Sequence, residues 1–237
     1  MSGPGIWKDG TRTTIRVSTY NIDGADNAPI DRLAARVHED DLSGIQEARA
    51  DTLLGTPNQV RQMADVNQQG WVFAPSQRRL LSDYAGNGLL SRFHVCSWEN
   101  RPLVYTSIDN TIESRRYRSM LVAKTAIGGH PVTVIVTHLD RSDMRYYQAE
   151  EVFAEFAKHE HVILLADLNS RPQDTRFTNL LTQAAGSDMV GIALGEKDLP
   201  YRVDWIVTRG FSLIEGDVAF SDISDHPYYW VELEIIP

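Results

Sequence analysis

Short apolar segments rich in β-branched residues recur along the whole chain, and they restrict its fold more than any other feature. Their alternating or continuous apolar patterns are typical of strands. We predict strands at residues 13–20, 41–46, 89–90, 95–98, 103–108, 120–126, 132–137, 162–166, 203–207 and 228–236, with those at 89–90 and 95–98 forming a pair. Helical spacing is confined to residues 30–37, 58–67, 145–159 and 177–184. Many strands with few helices favour an α+β fold or a layered sandwich.

The organisation of the chain indicates one domain. The sequence has 237 residues and no Pro/Gly/Ser-rich linker or repeat, so we predict a single domain over residues 1–237. The first 12 residues are polar and are expected to form a flexible extension. The single cysteine, Cys96, excludes an internal disulfide and a cysteine-based zinc site. Because Cys96 falls in a strand-like segment, we expect it to be buried as a small hydrophobic residue.

Charge and hydropathy limit the class of partner. The net charge of −9 argues against a protein that holds nucleic acid mainly by its overall electrostatic field. Of the 23 basic residues only four are lysine, and arginine is the better bidentate phosphate ligand. A GC-rich genome would produce the same bias. No apolar run is long enough to span a membrane. We expect a monomer in the cytoplasm, or outside the cell if a signal peptide has been removed.

Polar residues follow the predicted strands at the points where these strands end or begin. They are Asn21, Glu47, His138, Asp167, Asn169, Asp204, Asp225 and His226. Polar groups at the ends of neighbouring strands converge on one rim of a sheet. Carboxylate and amide oxygens suit Mg²⁺, and together with imidazole they are the groups used in metal-assisted phosphoryl transfer. Each residue alone is weak support, since strand-end Asp and Asn usually cap turns or helices.

Taken in order, the motifs around these residues resemble those of the endonuclease/exonuclease/phosphatase superfamily, which has a deoxyribonuclease I-like fold. The matching segments are YNIDG with Asn21, GIQE with Glu47, GNGLLSR at 86–92, ESRRYRSMLV from Glu113, VTHLD with His138, Arg145 and Gln148 of the following helix, ADLNSRP with Asp167 and Asn169, RVDWI with Asp204, and SDHP with Asp225 and His226. Ala166 and Leu168 replace the usual Gly and Phe, which affects packing more than chemistry.

The resemblance implies a four-layer α/β/β/α sandwich, in which two mainly antiparallel sheets pack face to face with helices outside. It also implies a cofactor, Mg²⁺, with Mn²⁺ able to substitute, and a role for each residue. The implied metal ligands are Glu47, Asn21 and Asp225; the implied catalytic residues are His138, Asp167, Asn169, Asp204 and His226; and the implied phosphate-binding residues are Arg115 and Arg116. Asp167 would orient or deprotonate the attacking water, and Asp204 would hold His226 in one tautomer.

The resemblance leaves three functions open. The first is a Mg²⁺-dependent endonuclease that cleaves a phosphodiester of DNA by in-line attack of an activated water, which the compact chain favours. The second is a phosphatase or phosphodiesterase acting on a small-molecule, inositol or lipid phosphate. The third is a binding module that has lost activity, although every motif residue is present. Arg115 and Arg116 are equally well explained as ordinary exposed charges.

Overall fold

Two β-sheets form the centre of the protein. The computed structural model describes residues 1–5, 11–25, 29–51, 57–78, 83–104, 117–220 and 222–237. Their strands are β1 (Ser2–Gly3), β2 (Thr14–Asn21), β3 (Leu42–Asp51), β4 (Gly70–Arg78), β5 (Asp83–Ser91), β6 (Ser97–Pro102), β7 (Ser119–Ile127), β8 (His130–His138), β9 (Val162–Asp167), β10 (Ser187–Asp188), β11 (Asp204–Arg209), β12 (Phe211–Ala219) and β13 (Tyr228–Ile235). One sheet has the order β1-β4-β5-β3-β2-β13-β12, and the other β10-β11-β9-β8-β7-β6.

Helices cover the outer faces of both sheets. They are α1 (Ile30–Arg36), α2 (Gln59–Asn67), α3 (Met144–Phe156) and α4 (Thr175–Gln183); a fifth helix, α5 (Met189–Leu194), instead packs into the core between the sheets. Helices α1 and α2 pack on the seven-stranded sheet, whereas α3 and α4 pack on the six-stranded sheet. A third apolar core, which includes Val17, Val136 and Leu165, fills the space between the sheets. The predicted four-layer sandwich is therefore confirmed.

Each sheet contains one parallel pair of strands among its described pairs, and these two pairs position the functional residues. Strand β2 runs parallel to β3, and β8 runs parallel to β9. The carboxyl ends of parallel strands lie at the same edge of a sheet. In the first pair Asn21 is opposite Gln46, and in the second His138 is opposite Asp167. Strand β11 is antiparallel to β9, so it begins at this edge, with Asp204 opposite Asp167.

The two sheets are tied together next to this edge. The Gln46 side-chain amide donates a hydrogen bond of 3.3 Å to the carbonyl of Leu165 in the opposite sheet. Asn87, within the GNGLLSR segment, donates one of 2.9 Å to the carbonyl of Ser119. At Gly44 a Cβ atom would lie only 2.5 Å from Cβ of Leu165, so only glycine allows this close approach. These contacts hold the ends of β3 and β9 in a fixed relation.

Several sequence-based predictions differ from the structure. The segments at 89–90 and 95–98 do not pair, because β5 and β6 belong to different sheets. Strands β4 and β12 and helix α5 were not predicted: a proline lies within β4, polar residues interrupt β12, and the 6 residues of α5 are too few to show helical spacing. Within the predicted strand at 103–108, residues 105–108 lie outside the described residues. Cys96 is exposed, because the chain at this point has not yet entered β6.

The start of the chain also departs from expectation. Ser2–Gly3, within the expected flexible extension, forms an antiparallel pair with Trp71 and Val72 at the edge of the seven-stranded sheet. Backbone hydrogen bonds to β4 hold these residues in place. Within the described part of the chain, no helix has both the length and the apolar character required to cross a membrane.

A buried acidic cluster lies at the opposite end of β2 from Asn21. Asp40 is fully buried and accepts hydrogen bonds from the hydroxyls of Ser18, Ser43 and Tyr228. Its carboxylate also lies 3.2 Å from Nε of Arg16. Burial raises the pKa of Asp40 to about 6, because these partners only partly replace the water that the ionised carboxylate loses. The folded protein therefore binds a proton here more tightly than the unfolded chain does.

We expect Asp40 to make the folded state less stable as pH rises from about 4 to about 7. The folded state binds more protons than the unfolded state in this window, so the free energy of unfolding falls with pH, by about 3 kcal/mol for this group. Urea unfolding of the wild type and of Asp40→Asn should be measured at both pH values. Between them, the free energy of unfolding of the wild type should fall by about 3 kcal/mol more than that of the variant. Asp65→Asn, at an exposed site, is the control. If the difference in unfolding free energy between the wild type and Asp40→Asn is the same at both pH values, this expectation is wrong.

Candidate active site

Glu47 is directed into the site by an irregularity in β3. The register between β3 and β5 shifts between Ile45 and Ala48, so Gln46 and Glu47 form a bulge. Glu47 has a φ of +58°, in the left-handed region that non-glycine residues rarely adopt. Such strain is common where a side chain must point in a particular direction for function. The Glu47 side chain is 23% exposed, so solvent can reach it at the open edge of the sheets.

Asn21 connects the two sheets inside the site. Its side-chain nitrogen lies 3.3 Å from Oε1 of Glu47 and 3.0 Å from Oδ2 of Asp167, and it donates a hydrogen bond to each carboxylate. Its side-chain oxygen accepts a hydrogen bond of 3.1 Å from the backbone N–H of Asp23, which fixes the orientation of the amide. Two carboxylates from different sheets thus lie within reach of a single amide nitrogen.

His138 and Asn169 form the second wall of the site. Nε2 of His138 lies 3.3 Å from Oδ2 of Asp167, and Nδ1 lies 3.7 Å from Oε1 of Glu47. The Asn169 amide nitrogen lies 3.0 Å from Nε2 of His138 and donates to the carbonyl of Leu139 at 2.8 Å. Asn169 has a φ of +49°, and its backbone N–H donates to Oδ1 of Asp167. This left-handed turn brings Asn169 back over the strand end.

Asp204 and His226 form a hydrogen-bonded pair. Nδ1 of His226 donates to Oδ2 of Asp204 at 2.9 Å, which leaves Nε2 directed towards Asp167 at 3.8 Å. Burial by itself would lower the pKa of His226, but the hydrogen bond to Asp204 and the charges of Asp204 and Asp167 outweigh it and raise this pKa to about 9. His226 is therefore a cation at neutral pH.

Asp167 lies at the centre of the cluster and is completely buried. Burial and, after it, the negative charge of Asp204 raise the pKa of Asp167 to about 7, while His226 and the hydrogen bonds from Asn169 and Asn21 oppose this rise. A carboxylate with a pKa near neutrality is suited to exchange a proton with a substrate or with water.

The residues present fit a divalent cation. Among the described residues, neither Glu47 nor Asp167 has a lysine or arginine nitrogen within 4 Å, although both carboxylates share one small volume. Hard carboxylate oxygens at an open edge are ligands that Mg²⁺ accepts together with water. Asp167, Asp204 and His226 also have ligand atoms within 4.8 Å of one another. Nδ1 of His226 is already hydrogen-bonded to Asp204, and Glu47 is the more exposed carboxylate, so we assign that trio to hydrogen bonding and the cation to the Glu47 side.

The structure brings together seven of the residues singled out in the sequence. They are Asn21, Glu47, His138, Asp167, Asn169, Asp204 and His226. Asp225 is exposed and acts on Asp204 and His226 through its charge, so its role as a metal ligand stays a prediction. Arg115 and Arg116 lie outside the described residues.

Two residues within the matching motifs support the site, although the sequence did not indicate a function for them. Ser224 accepts a hydrogen bond from the backbone N–H of His226 and donates to the carbonyl of Asn21, so it joins the last motif to the first. Arg202 is fully buried; it donates to the carbonyl of Asp204 and contacts the carboxylates of Asp188 and Asp198. Two features of the sequence could have indicated the role of Arg202. They are the Arg-x-Asp spacing in RVDWI and the aspartate four residues before Arg202.

Solved structures show the same fold. An endonuclease/exonuclease/phosphatase from Beutenbergia cavernae superposes with a TM-score of 0.75 at 19% identity, over 95% of this chain and 72% of that one. The human Nocturnin catalytic domain with a bound sulfate anion has a TM-score of 0.73 at 15% identity, over 94% and 95%. A mannosyl-6-phosphatase from Bacteroides thetaiotaomicron has a TM-score of 0.68 at 15% identity, over 92% and 99%.

Sequence comparison is decisive for the family. No curated protein sequence matches the chain at a significant level. The family model described as "Endonuclease/Exonuclease/phosphatase family" matches residues 18–226, which include every motif residue that the structure brings together. The chain therefore belongs to the endonuclease/exonuclease/phosphatase family, a family of metal-dependent hydrolases that act on phosphoric ester bonds.

Proposed function

We propose that this protein is a Mg²⁺-dependent phosphodiesterase, with DNA as its favoured substrate and with Mn²⁺ able to replace Mg²⁺. The observation that carries the proposal is the Asn21 amide, which lies between the carboxylates of Glu47 and Asp167 beside the Asp204–His226 pair. This arrangement provides an anionic side for a cation and a cationic side for a phosphate. We expect the monomer to be the active form.

Different residues of the site have different roles in the proposed hydrolysis. Glu47 and Asn21, with Asp225 as a further candidate, would hold the cation, which when bound supplies Lewis-acid stabilisation of charge on the phosphate. Asp167 accepts a proton from the attacking water as the water approaches phosphorus in line with the leaving oxygen. The near-neutral pKa of Asp167 allows this without a large energetic penalty.

Charge that develops on the phosphate oxygens meets donors that are already in position. His226, held as an imidazolium by Asp204, directs Nε2 towards the site. Asn169 and His138 line the same wall. Each fixed donor of this kind contributes about 3 kcal/mol to stabilisation of the transition state, by analogy with oxyanion holes. Arg115 and Arg116 are proposed to contribute further phosphate contacts.

The alternative substrate is a small phosphate ester such as a sugar, inositol or lipid phosphate. The similarity in fold to a mannosyl-6-phosphatase supports this alternative, because the same sandwich in that protein carries a phosphatase. A phosphomonoester brings one more negative charge than a diester into a site that already holds three carboxylates. We therefore favour the diester.

A substrate panel tests the proposal. With Mg²⁺, the protein should nick supercoiled plasmid and hydrolyse bis-p-nitrophenyl phosphate, and EDTA should abolish both reactions. Preferential release of inorganic phosphate from p-nitrophenyl phosphate or mannose 6-phosphate would favour the alternative. If calorimetry detects no binding of Mg²⁺ or Mn²⁺ and no ester is cleaved, the protein is a binding module and the proposal is wrong.

A further inference from the structure

An open groove of about 800 Å³ adjoins the active site at Asn169. Its lining includes Asn169, which contacts His138, and Arg145 and Tyr146 at the start of α3. Arg171 and the residues that lead to the start of α4 also line it. A substrate whose scissile phosphate sits at Asn169 would extend along this groove.

Two arginines and one carboxylate, Asp174, line the groove, so its lining carries a net positive charge although the chain as a whole has a net charge of −9. Arg171 is exposed, and among the residues that the structure describes no carboxylate lies within ion-pair distance of its guanidinium. Arg145 lies within 4 Å of one described carboxylate, that of Asp143, at 3.7 Å, and Asp143 is itself 83% exposed and well screened by solvent. Neither arginine therefore has a buried ion-pair partner among the described residues, and both line the same space.

Asp174 is the one carboxylate in the described lining of the groove, and its single charge compensates at most one of the two arginines. Asp174 accepts hydrogen bonds from the hydroxyls of Tyr146 and Ser170 and from the backbone N–H of Arg176 at the start of α4. Burial alone would raise the pKa of Asp174, but these hydrogen bonds outweigh it and lower the pKa. Its carboxylate is thus used to build the wall of the groove.

Arg145 is held rigidly in this wall. Its guanidinium donates to the carbonyls of Arg141 and Ser142 and to the hydroxyl of Tyr146, and its side chain is 19% exposed. Its Nε is buried without a hydrogen-bond partner. Arg145 therefore supplies a fixed positive charge, whereas Arg171 is free to contact a ligand directly.

We propose that this groove binds a second backbone phosphate of a nucleic-acid strand, next to the phosphate that is cleaved, with Arg171 as the direct ligand. Asn169 and Arg171 are two residues apart, so their Cα atoms are separated by at most about 7 Å, a distance that adjacent phosphates of one strand can bridge. Guanidinium groups bind phosphate with charge-assisted, often bidentate hydrogen bonds. The inference rests on the proposed function, because it assumes that the scissile diester lies at Asn169.

The test compares two substrates that differ by one nucleotide and therefore by one backbone phosphate. The wild type should hydrolyse the thymidine trinucleotide TpTpT with a KM about 10-fold lower than that of TpT, since a hydrogen bond to a charged group has about this effect. Arg171→Met should remove the advantage of TpTpT without changing the hydrolysis of bis-p-nitrophenyl phosphate, and Arg171→Lys should restore part of it. Arg61→Met, which alters an exposed arginine on α2, is the matched control.

A binding measurement separates the groove from the chemistry. In EDTA, fluorescence anisotropy of a labelled oligothymidylate should show the slope of log Kobs against log salt reduced by about 0.7 in Arg171→Met, as expected for one lost phosphate contact to a single strand. Equal KM values for TpT and TpTpT, or an unchanged salt slope, would overturn the inference while leaving hydrolysis of bis-p-nitrophenyl phosphate intact. If the wild type does not hydrolyse bis-p-nitrophenyl phosphate at all, it is the proposed function that is wrong.

Discussion

Replacement of Asp167 by asparagine should lower kcat for hydrolysis of bis-p-nitrophenyl phosphate by about 10³-fold, the typical contribution of a general base. Asparagine has nearly the same shape and can still accept the hydrogen bond from Asn21. It cannot accept a proton from water, however. The substitution therefore removes the proposed chemical role while it leaves the packing of a completely buried side chain nearly unchanged.

The same variant should be almost as stable as the wild type. The raised pKa of Asp167, to about 7, means that the ionised carboxylate is disfavoured in the folded protein, so loss of this charge offsets the weakened hydrogen bonds. We expect Tm to change by less than about 4 °C. Asp65→Asn, at an exposed position, should retain full activity. A rate of Asp167→Asn within a few-fold of wild type would exclude Asp167 as the base.

Replacement of Glu47 by glutamine should weaken Mg²⁺ binding by about 100-fold or more and should abolish turnover at low millimolar Mg²⁺, because the amide oxygen carries no net charge. Glutamine retains an oxygen that can accept from Asn21, so the bulge and the Asn21 amide should stay in place. Isothermal titration calorimetry with Mg²⁺ and Mn²⁺ measures the change in affinity directly.

Metal titration distinguishes the roles of these two acidic residues. In Glu47→Gln, high Mg²⁺ should restore part of kcat, whereas in Asp167→Asn no metal concentration should do so. Glu39→Gln serves as a control, since Glu39 is an exposed partner of Arg16 and such surface ion pairs contribute little. Normal Mg²⁺ affinity in Glu47→Gln would mean that the cation is held elsewhere, for example by Asp167 and Asp204.

Local sequence patterns predicted most of the elements that form the site. Strands β2, β8, β9 and β11 were predicted close to their observed ranges, because each buries a continuous or alternating apolar segment. Strands β4 and β12 were missed. The first has a proline within its range, and the second alternates charged and apolar residues around a bulge, so its apolar pattern is interrupted. Strand β12 is at the edge of its sheet, where such a pattern is tolerated because one side of the strand has no partner.

The SDHP motif shows where residue identity alone reaches its limit. Asp225 and His226 are neighbours in SDHP, yet His226 is directed into the site and Asp225 is exposed. Ser224 accounts for part of this difference, since it receives the N–H of His226 and holds the turn against Asn21. The direction of each side chain depends on this long-range contact, and no local pattern reports it.

The sequence by itself determined the chemistry that is available: the order and type of the carboxylate, amide and imidazole groups, and the strands that carry them. Tertiary structure decided how these groups meet. The parallel pairing of β2 with β3 and of β8 with β9, the bulge that turns Glu47 inwards, and the close approach of the sheets at Gly44 all depend on contacts between residues far apart in the chain. The groove beside Asn169 likewise exists only because α3, α4 and the loop after β9 pack together. Such contacts depend on packing and hydrogen bonding between distant segments of the chain. A local sequence pattern therefore does not show which distant segment it will contact.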